Sequence, residues 1–328
     1  MTFKVFVTAA RLAPAGLALL QQHGCDVAFL RDGDGAAEVE AQLAAQPFDA
    51  VISRTVDLSA AAIAACPSLK VISKHGVGVS NIAVDAATQR GIPVYVTPGA
   101  NAQSVAELTI GLMLAVARRI AHLDHELREG RWTRAQDGLQ LGGRRLGLLG
   151  FGQVGQRVAR VAQALGMEVH AHDPMLAGPS PVAGVQLHAS LESLLPVSDV
   201  LSLHVPLTRA TRNLLDAAAL DRLPRGALLV NTARGEVVDE AALIERLGDG
   251  RVTGVGLDTM ATEPLPADHP LTHLNNVVLT PHVGGSTAAA LAAMAEGAAR
   301  NVLSFLQGNP PDARSCVNPA TLQTTTIA

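Results

Sequence analysis

Short apolar, β-branched runs alternate along the chain with Ala- and Leu-rich stretches at helical spacing. One series of runs lies at Val5–Val7, Val27–Leu30, Ala50–Ile52 and Val71–Ser73. A second lies at Leu146–Leu149, Glu168–Ala171, Val200–Leu203, Ala227–Val230, Val252–Leu257 and Val277–Leu279. Strand then helix, repeated, predicts parallel sheets covered by helices. Runs that are apolar throughout suit strands buried on both faces. Two series predict two α/β domains, with a Pro/Gly turn at Thr97–Asn101 (TPGAN) marking the break. The spacing also predicts a long helix over Ala102–Glu129, closed by Gly130. Another is predicted over Ser286–Gln307, stopped by Gly308, Asn309 and Pro310. The polar, Thr-rich tail from Pro319 to Ala328 is expected to be loosely held.

Composition narrows the class. At 328 residues the chain has room for about two domains. With 48% hydrophobic and 16% charged residues it can bury sizeable cores. A net charge of −4, from 25 basic and 29 acidic residues, is a poor footprint for a general nucleic-acid binder. The 6 Phe, 1 Trp and 1 Tyr are too few for a base-stacking platform. Cys25, Cys66 and Cys316 match no zinc or redox spacing, so reduced thiols and no metal site are expected. The start MTFKVFVTAA lacks a secretory pattern, and no run reaches about 18 uninterrupted apolar residues. A cytoplasmic protein without membrane or nucleic-acid partners is the expectation.

The sharpest local signal is GFGQVG at Gly150–Gly155, which follows the strand-like Leu146–Leu149 and opens the helix-like Val154–Leu165. That is the context of a dinucleotide-binding loop. Gly150 permits a tight turn, Gly152 lets backbone approach a pyrophosphate, and Gly155 lets helix and strand pack closely. The helix N-terminus then faces the phosphates. Asp173 ends the next strand, 18 residues beyond Gly155, close to the spacing expected of a ribose-binding acid. Its carboxylate can accept from both ribose hydroxyls and repels a 2′-phosphate, and no Arg follows it. The cofactor predicted is NAD.

Three later segments place polar groups after apolar strands, where open α/β sheets bind ligands. Arg234 lies in VNTARGEVVD (Val230–Asp239), Asp258 and Glu263 in GLDTMATEP (Gly256–Pro264), and His282 in TPHVGGST (Thr280–Thr287).

These blocks, with KHGVGVSNIAVDAATQRGIPV and PGANAQSVAEL, resemble the D-isomer-specific 2-hydroxyacid dehydrogenases, nearest the phosphoglycerate dehydrogenase and hydroxypyruvate reductase branch. The resemblance runs from about Ser53 to Pro319. It implies reversible hydride transfer between NADH and a small 2-keto acid, with 3-phosphohydroxypyruvate, hydroxypyruvate and glyoxylate as options. By resemblance Arg234, Glu263 and His282 form the catalytic set. A guanidinium suits the substrate carboxylate and the developing oxyanion. His282 acts as acid or base, and Glu263 favours its imidazolium and orients the ring. The cofactor contacts implied are Gly150, Gly152, Gln153, Val154, Gly155, Asp173, Val205, Pro206, Thr232, Ala233, Asp258, Gly284 and Gly285. Val205 and Pro206 would line an aliphatic adenine pocket, and Asp258 matches the family's acid near the nicotinamide amide. HGVGVSN (His75–Asn81) is similar to the family's substrate loop, with backbone amides of Val77, Gly78 and Val79 on the carboxylate. Arg54 and Lys74 resemble sites that hold a substrate phosphate, which would make the substrate doubly anionic. Thr259 and Met260 stand where Val and Phe are commoner.

The same resemblance implies an α/β fold of two Rossmann-like parallel-sheet domains. A flavodoxin-like substrate domain would comprise residues 1–98 and 290–328, and a doubly wound NAD domain residues 99–289. Hinge closure would exclude water around the hydride. The helix over Ala102–Glu129 looks like the family's dimer-forming element, so a homodimer through the coenzyme domain is expected. Ending at residue 328, the chain is not expected to carry the serine-responsive regulatory domain of the long phosphoglycerate dehydrogenases. A non-catalytic NAD-sensing protein of the same fold is the alternative. Formate dehydrogenase is disfavoured, because those enzymes have Gln where Glu263 stands.

Overall fold

In a computed structural model that describes residues 2–134 and 137–323, the two series of apolar runs become two separate parallel sheets. They belong to two compact units. One runs up to Asn101 and resumes at Thr287, and the other is Ala102–Ser286.

The first unit carries β1 (Lys4–Val7), β2 (Asp26–Phe29), β3 (Ala50–Ser53), β4 (Val71–Lys74) and β5 (Val94–Tyr95), in the order β2-β1-β3-β4-β5. This is the flavodoxin-like order, and the direction of winding reverses between β1 and β3. The central strands β3 and β4 are wholly buried, as their apolar starts predict, and the burial extends to Ser53, Ser73 and Lys74 at their ends. The sequence reading lacked β5, whose backbone is held by residues from the far end of the chain. Asn318 Oδ1 accepts from the Val94 N–H at 2.8 Å, and Cys316 bridges to Tyr95. On one face of the sheet the helix Ala288–Leu306, capped by the Thr287 side chain, packs on the helix Pro14–Gln22. A Cβ on Gly16 would lie 2.5 Å from the Ala295 carbonyl oxygen, so the backbones meet at that crossing.

The expectation of a loosely held tail fails for its first part. Pro319–Gln323 form a 3₁₀ turn in which Thr321 is buried and donates to the Asn318 carbonyl at 2.8 Å. Leu322 packs against the core. Residues 324–328 lie outside the described residues.

The second unit carries β6 (Arg145–Leu149), β7 (Glu168–His172), β8 (Val185–Leu187), β9 (Val200–Leu203), β10 (Ala227–Asn231), β11 (Val252–Leu257) and β12 (Val277–Leu279). Their order is β12-β11-β10-β9-β6-β7-β8, all parallel. This is the doubly wound arrangement, with its reversal between β6 and β9. The short edge strand β8 was not read from sequence.

The single helix expected over Ala102–Glu129 is two helices, Ala102–Ala117 and Ile120–Arg128. The Ala117 carbonyl accepts from the Leu139 N–H at 2.6 Å, and Arg119 takes a left-handed conformation (φ 52°) with its guanidinium on Asp137. The ladder therefore ends there, and Ile120 begins afresh. Among the described residues no helix is long and apolar enough to cross a membrane.

Candidate active site

At the reversal between β6 and β9 the glycines of GFGQVG take three separate structural roles. Gly150 has φ 93°, and a Cβ there would lie 2.6 Å from the backbone of His204, just past β9. Gly155 packs against the loop itself, its Cβ position 2.5 Å from the Gly150 carbonyl oxygen. Gly152 has no protein atom within 4 Å of its Cβ position. It opens the helix Gln153–Ala164, whose N-terminus has no side-chain cap. Open space before an uncapped helix end, with the positive pole of the helix dipole, fits a pyrophosphate. Asp173 reaches this loop directly. Its Oδ2 accepts from the Phe151 N–H at 2.8 Å and its Oδ1 from the Met175 N–H at 2.9 Å. An ionised carboxylate has about four lone-pair positions, so acceptor capacity remains for ribose hydroxyls. Val205 and Pro206 follow β9 beside this turn. The residues that would hold a dinucleotide are thus assembled within one unit.

The adjacent strands β10, β11 and β12 each lead into one member of the predicted catalytic set. Beyond β10, buried Asn231 shapes the loop: Oδ1 accepts from the Ala233 N–H at 2.9 Å, and Nδ2 donates to the Arg234 carbonyl at 2.8 Å. Thr232 shares a 2.8 Å hydroxyl contact with Thr109. Gly235, which follows Arg234, lies against the loop beyond β11 so closely that a Cβ would fall 1.9 Å from the Met260 carbonyl carbon. In that second loop Glu263 Oε1 accepts from the Met260 N–H at 3.1 Å, and Glu263 Oε2 lies 2.8 Å from His282 Nδ1. Burial alone would push the Glu263 pKa up. The hydrogen bonds from His282 and the Met260 N–H, with the nearby charges of His282 and Arg234, outweigh it and hold the carboxyl below its ordinary value. Arg234, Glu263 and His282 are therefore brought together.

Asp258, at the end of β11 and almost fully buried, is engaged by the loop that carries His282. Its Oδ1 accepts from the Thr280 hydroxyl at 2.6 Å and the Val283 N–H at 2.8 Å, and its Oδ2 from the Gly284 N–H at 2.8 Å. Ser104 donates to the Gly284 carbonyl at 2.6 Å. His282 itself has φ 52°, a conformation that costs a non-glycine residue about 1 kcal/mol or more. These hydrogen bonds on both sides hold it there. Asn231, Ser104 and Thr280 were not singled out from sequence. For Asn231 and Thr280 the signal available was a polar residue closing or following an apolar strand, whereas Ser104, inside the helix Ala102–Ala117, carried none.

One polar atom here lacks a partner. Among the described residues, the buried Thr259 hydroxyl makes no hydrogen bond. Such a group costs about 1–3 kcal/mol. Thr259→Val is accordingly expected to stabilise the protein by about 1 kcal/mol, read as a higher urea midpoint with unchanged kcat.

In the first unit the segment after β4 is tied down from several sides. The Gly76 N–H donates to the Thr97 hydroxyl at 3.1 Å, and the Thr97 N–H donates to the Gly76 carbonyl at 2.9 Å. Gly76 has φ 130°, which only glycine takes readily. Asn81 Nδ2 donates to the Val56 carbonyl at 2.8 Å and the Arg54 carbonyl at 3.1 Å. Lys74 is buried, and its ammonium donates to Asn81 Oδ1 at 2.5 Å and to the Arg54 carbonyl. Arg54 is half-buried at the end of β3, and burial together with neighbouring Arg11 lowers its pKa. Burial, then Arg54, pushes the His75 imidazole down to about 4. Val77, Gly78 and Val79 lead from this anchored turn to Asn81.

The doubly wound unit, its glycine-rich loop and the Arg–Glu–His cluster define a dinucleotide-dependent dehydrogenase. The family model described as "D-isomer specific 2-hydroxyacid dehydrogenase, NAD binding domain" matches residues 110–284. The chain is 45% identical over 244 residues to a hydroxypyruvate reductase of Thermotoga maritima, covering 73% of this chain and 78% of that one. It is 39% identical to a glyoxylate reductase of Thermofilum pendens, covering 94% and 93%. It is 40% identical to a D-3-phosphoglycerate dehydrogenase of Archaeoglobus fulgidus over 83% of this chain, and spans 51% of that longer protein. A crystal structure of a protein from Thermus thermophilus superposes with a TM-score of 0.87 at 39% identity, covering 96% of this chain and all of that one. The chain belongs to the D-isomer specific 2-hydroxyacid dehydrogenase family, and is an oxidoreductase that acts on the CH–OH group of 2-hydroxy acids with NAD.

Proposed function

We propose that this dehydrogenase reduces hydroxypyruvate or glyoxylate, with the second unit as the NAD domain and the first as the substrate domain. The observation that carries the reading is the 2.8 Å contact between His282 Nδ1 and Glu263. With Nδ1 turned to the carboxylate, Nε2 is the ring nitrogen left for the substrate oxygen. His282 in its protonated form donates a proton there during reduction, and in its neutral form accepts one during oxidation. Glu263 fixes the orientation of the ring. Arg234 holds the substrate carboxylate and stabilises negative charge growing on the keto oxygen. NAD, when bound, supplies or takes the hydride. Gly150, Gly152, Gln153, Val154, Gly155 and Asp173 would hold its pyrophosphate and ribose, Val205 and Pro206 its adenine, and Thr232, Ala233, Asp258, Gly284 and Gly285 its nicotinamide end. Backbone amides of Val77, Gly78 and Val79 are the proposed carboxylate ligands from the substrate domain.

3-Phosphohydroxypyruvate is the second reading. The half-buried Arg54 with Arg11 beside it favours a second anionic group. Against it, the Lys74 ammonium is engaged with Asn81 and the Arg54 carbonyl. A panel of glyoxylate, hydroxypyruvate, pyruvate, 2-ketoglutarate and 3-phosphohydroxypyruvate with NADH separates the two readings. Turnover is expected with the first two. If the phosphorylated acid is the substrate, Arg54→Ala should raise its KM about tenfold or more while leaving KM for glyoxylate unchanged. No turnover on any of the five overturns both.

A homodimer through the NAD domain is proposed on the helix Ile120–Arg128, which has no buried residue. Ile120 (54%), Leu127 (56%) and the following Trp132 (75%) are exposed, an apolar set that a second copy would cover. The free thiols Cys25, Cys66 and Cys316 support a reducing, cytoplasmic setting. No nucleic-acid or membrane partner is proposed.

A further inference from the structure

The loop that presents Glu263 is anchored at both ends by one side chain outside the Arg–Glu–His set. Glu240 is the first residue of the helix Glu240–Gly248, six positions beyond Arg234. Its Oε2 accepts from the Ala261 N–H at 3.2 Å. Its Oε1 lies 3.1 Å from His269 Nε2. His269 Nδ1 accepts from the Leu271 N–H at 3.3 Å and so caps the 3₁₀ turn Pro270–His273. A ring nitrogen that accepts from an amide carries no proton, so the His269 proton is on Nε2 and is donated to Glu240. The contact to His269 is largely shielded, since the Glu240 and His269 side chains are 18% and 19% exposed, whereas Ala261 is exposed.

Glu240 thereby closes the segment 261–269 into a loop pinned at Ala261 and at His269, with Glu263 inside it. Without it, the Glu263 carboxylate keeps its contacts to the Met260 N–H and to His282, and Leu265 still packs against the core, but the tie from the helix Glu240–Gly248 to both ends of the segment is lost. Glu240 also joins the segment that carries Arg234 to the segment that carries Glu263, at the same Met260–Ala261 peptide that Gly235 approaches. We propose that Glu240 is a positioning residue, which fixes the loop 261–269 so that Glu263 meets His282. It touches neither substrate nor cofactor. The proposal rests on the reading of Glu263 and His282 as the acid/base pair.

The test is steady-state kinetics across pH with the best substrate of the keto-acid panel. Glu240→Ala is expected to lower kcat about tenfold to a hundredfold, the scale of a displaced reacting group. The pH–rate profile should shift with it, and the NADH Kd should stay within about twofold. Glu240→Gln keeps an oxygen that can accept from the Ala261 N–H, and should recover most of kcat. Added to Glu263→Gln, Glu240→Ala should cost less than about threefold, because its effect passes through the group already removed. Unchanged kcat and pH profile in Glu240→Ala overturn the proposal. So does full additivity in the double variant. If Glu240→Ala does not fold, His269→Ala removes the other anchor and should give a smaller kcat loss with the same shift of profile, and no change in either overturns the proposal. If Glu263→Gln and His282→Asn themselves leave kcat intact, the acid/base reading fails. If those two collapse while the Glu240 variants do not, only the positioning role fails.

Discussion

His282→Asn is expected to reduce kcat for 2-keto acid reduction by about 10²–10⁴-fold, the usual contribution of a positioned general acid. Asparagine can keep a hydrogen bond to Glu263 but has no titrating proton to give. The loop should survive the change, because its backbone is held independently. The Asp258 carboxylate takes the Val283 and Gly284 N–H groups and the Thr280 hydroxyl, and Ser104 holds the Gly284 carbonyl. Asparagine also tolerates a positive φ better than most residues, so the 52° of position 282 is not a barrier. NADH affinity, measured by fluorescence titration, should be nearly unchanged. A variant with normal kcat would remove His282 from the mechanism. A variant with lost NADH binding would assign the residue to the cofactor site.

The second large effect is expected at Gly235. A methyl group there would fall 1.9 Å from the Met260 carbonyl carbon, 2.1 Å from its oxygen and 2.4 Å from the Ala261 nitrogen. All three are backbone atoms, which cannot rotate aside as a flexible side chain does. Gly235→Ala must therefore separate the Arg234 loop from the Glu263 loop or fail to fold. The expected cost is about 3 kcal/mol or more in unfolding free energy, at or beyond the upper end for overpacking, with kcat reduced about a hundredfold in whatever folds. Gly152→Ala is the informative contrast. Its methyl group meets no protein atom within 4 Å, so the urea midpoint should not move. It does project into the space read as the pyrophosphate site, so NADH affinity should fall. Equal stability of Gly235→Ala and the parent protein would refute the argument from close approach.

How much of this was legible beforehand depends on the range over which each feature is encoded. The buried strands β3, β4, β9 and β10 announce themselves as short, mostly apolar runs. The glycine loop is legible because its three requirements fall within six residues. The strands β5 and β8 have two and three residues, too few to show a period. The break at Arg119 depends on the Leu139 amide, twenty-two residues from the Ala117 carbonyl it occupies. The contacts of Asn81, Ser104 and Glu240 obey no spacing rule, since each joins a loop to whatever another strand or helix brings beside it, whereas those of Asn231 stay within its own loop. Charge was visible in Arg54 and Lys74, but not that the Lys74 ammonium is engaged with Asn81 Oδ1 and the Arg54 carbonyl. The sequence could name Arg234, Glu263 and His282. It could not show that three neighbouring strands deliver them side by side.

That delivery has a consequence for how the protein comes apart. His282 follows β12, a three-residue strand at one end of the seven-stranded order, and none of its three residues is fully buried. The glycine loop follows β6, deep in the middle of the same sheet and almost wholly buried. Edge segments open at lower free energy than central ones. Under mild denaturant the chain should pass through a population that still grips the pyrophosphate and ribose of its dinucleotide while the proton donor has swung away.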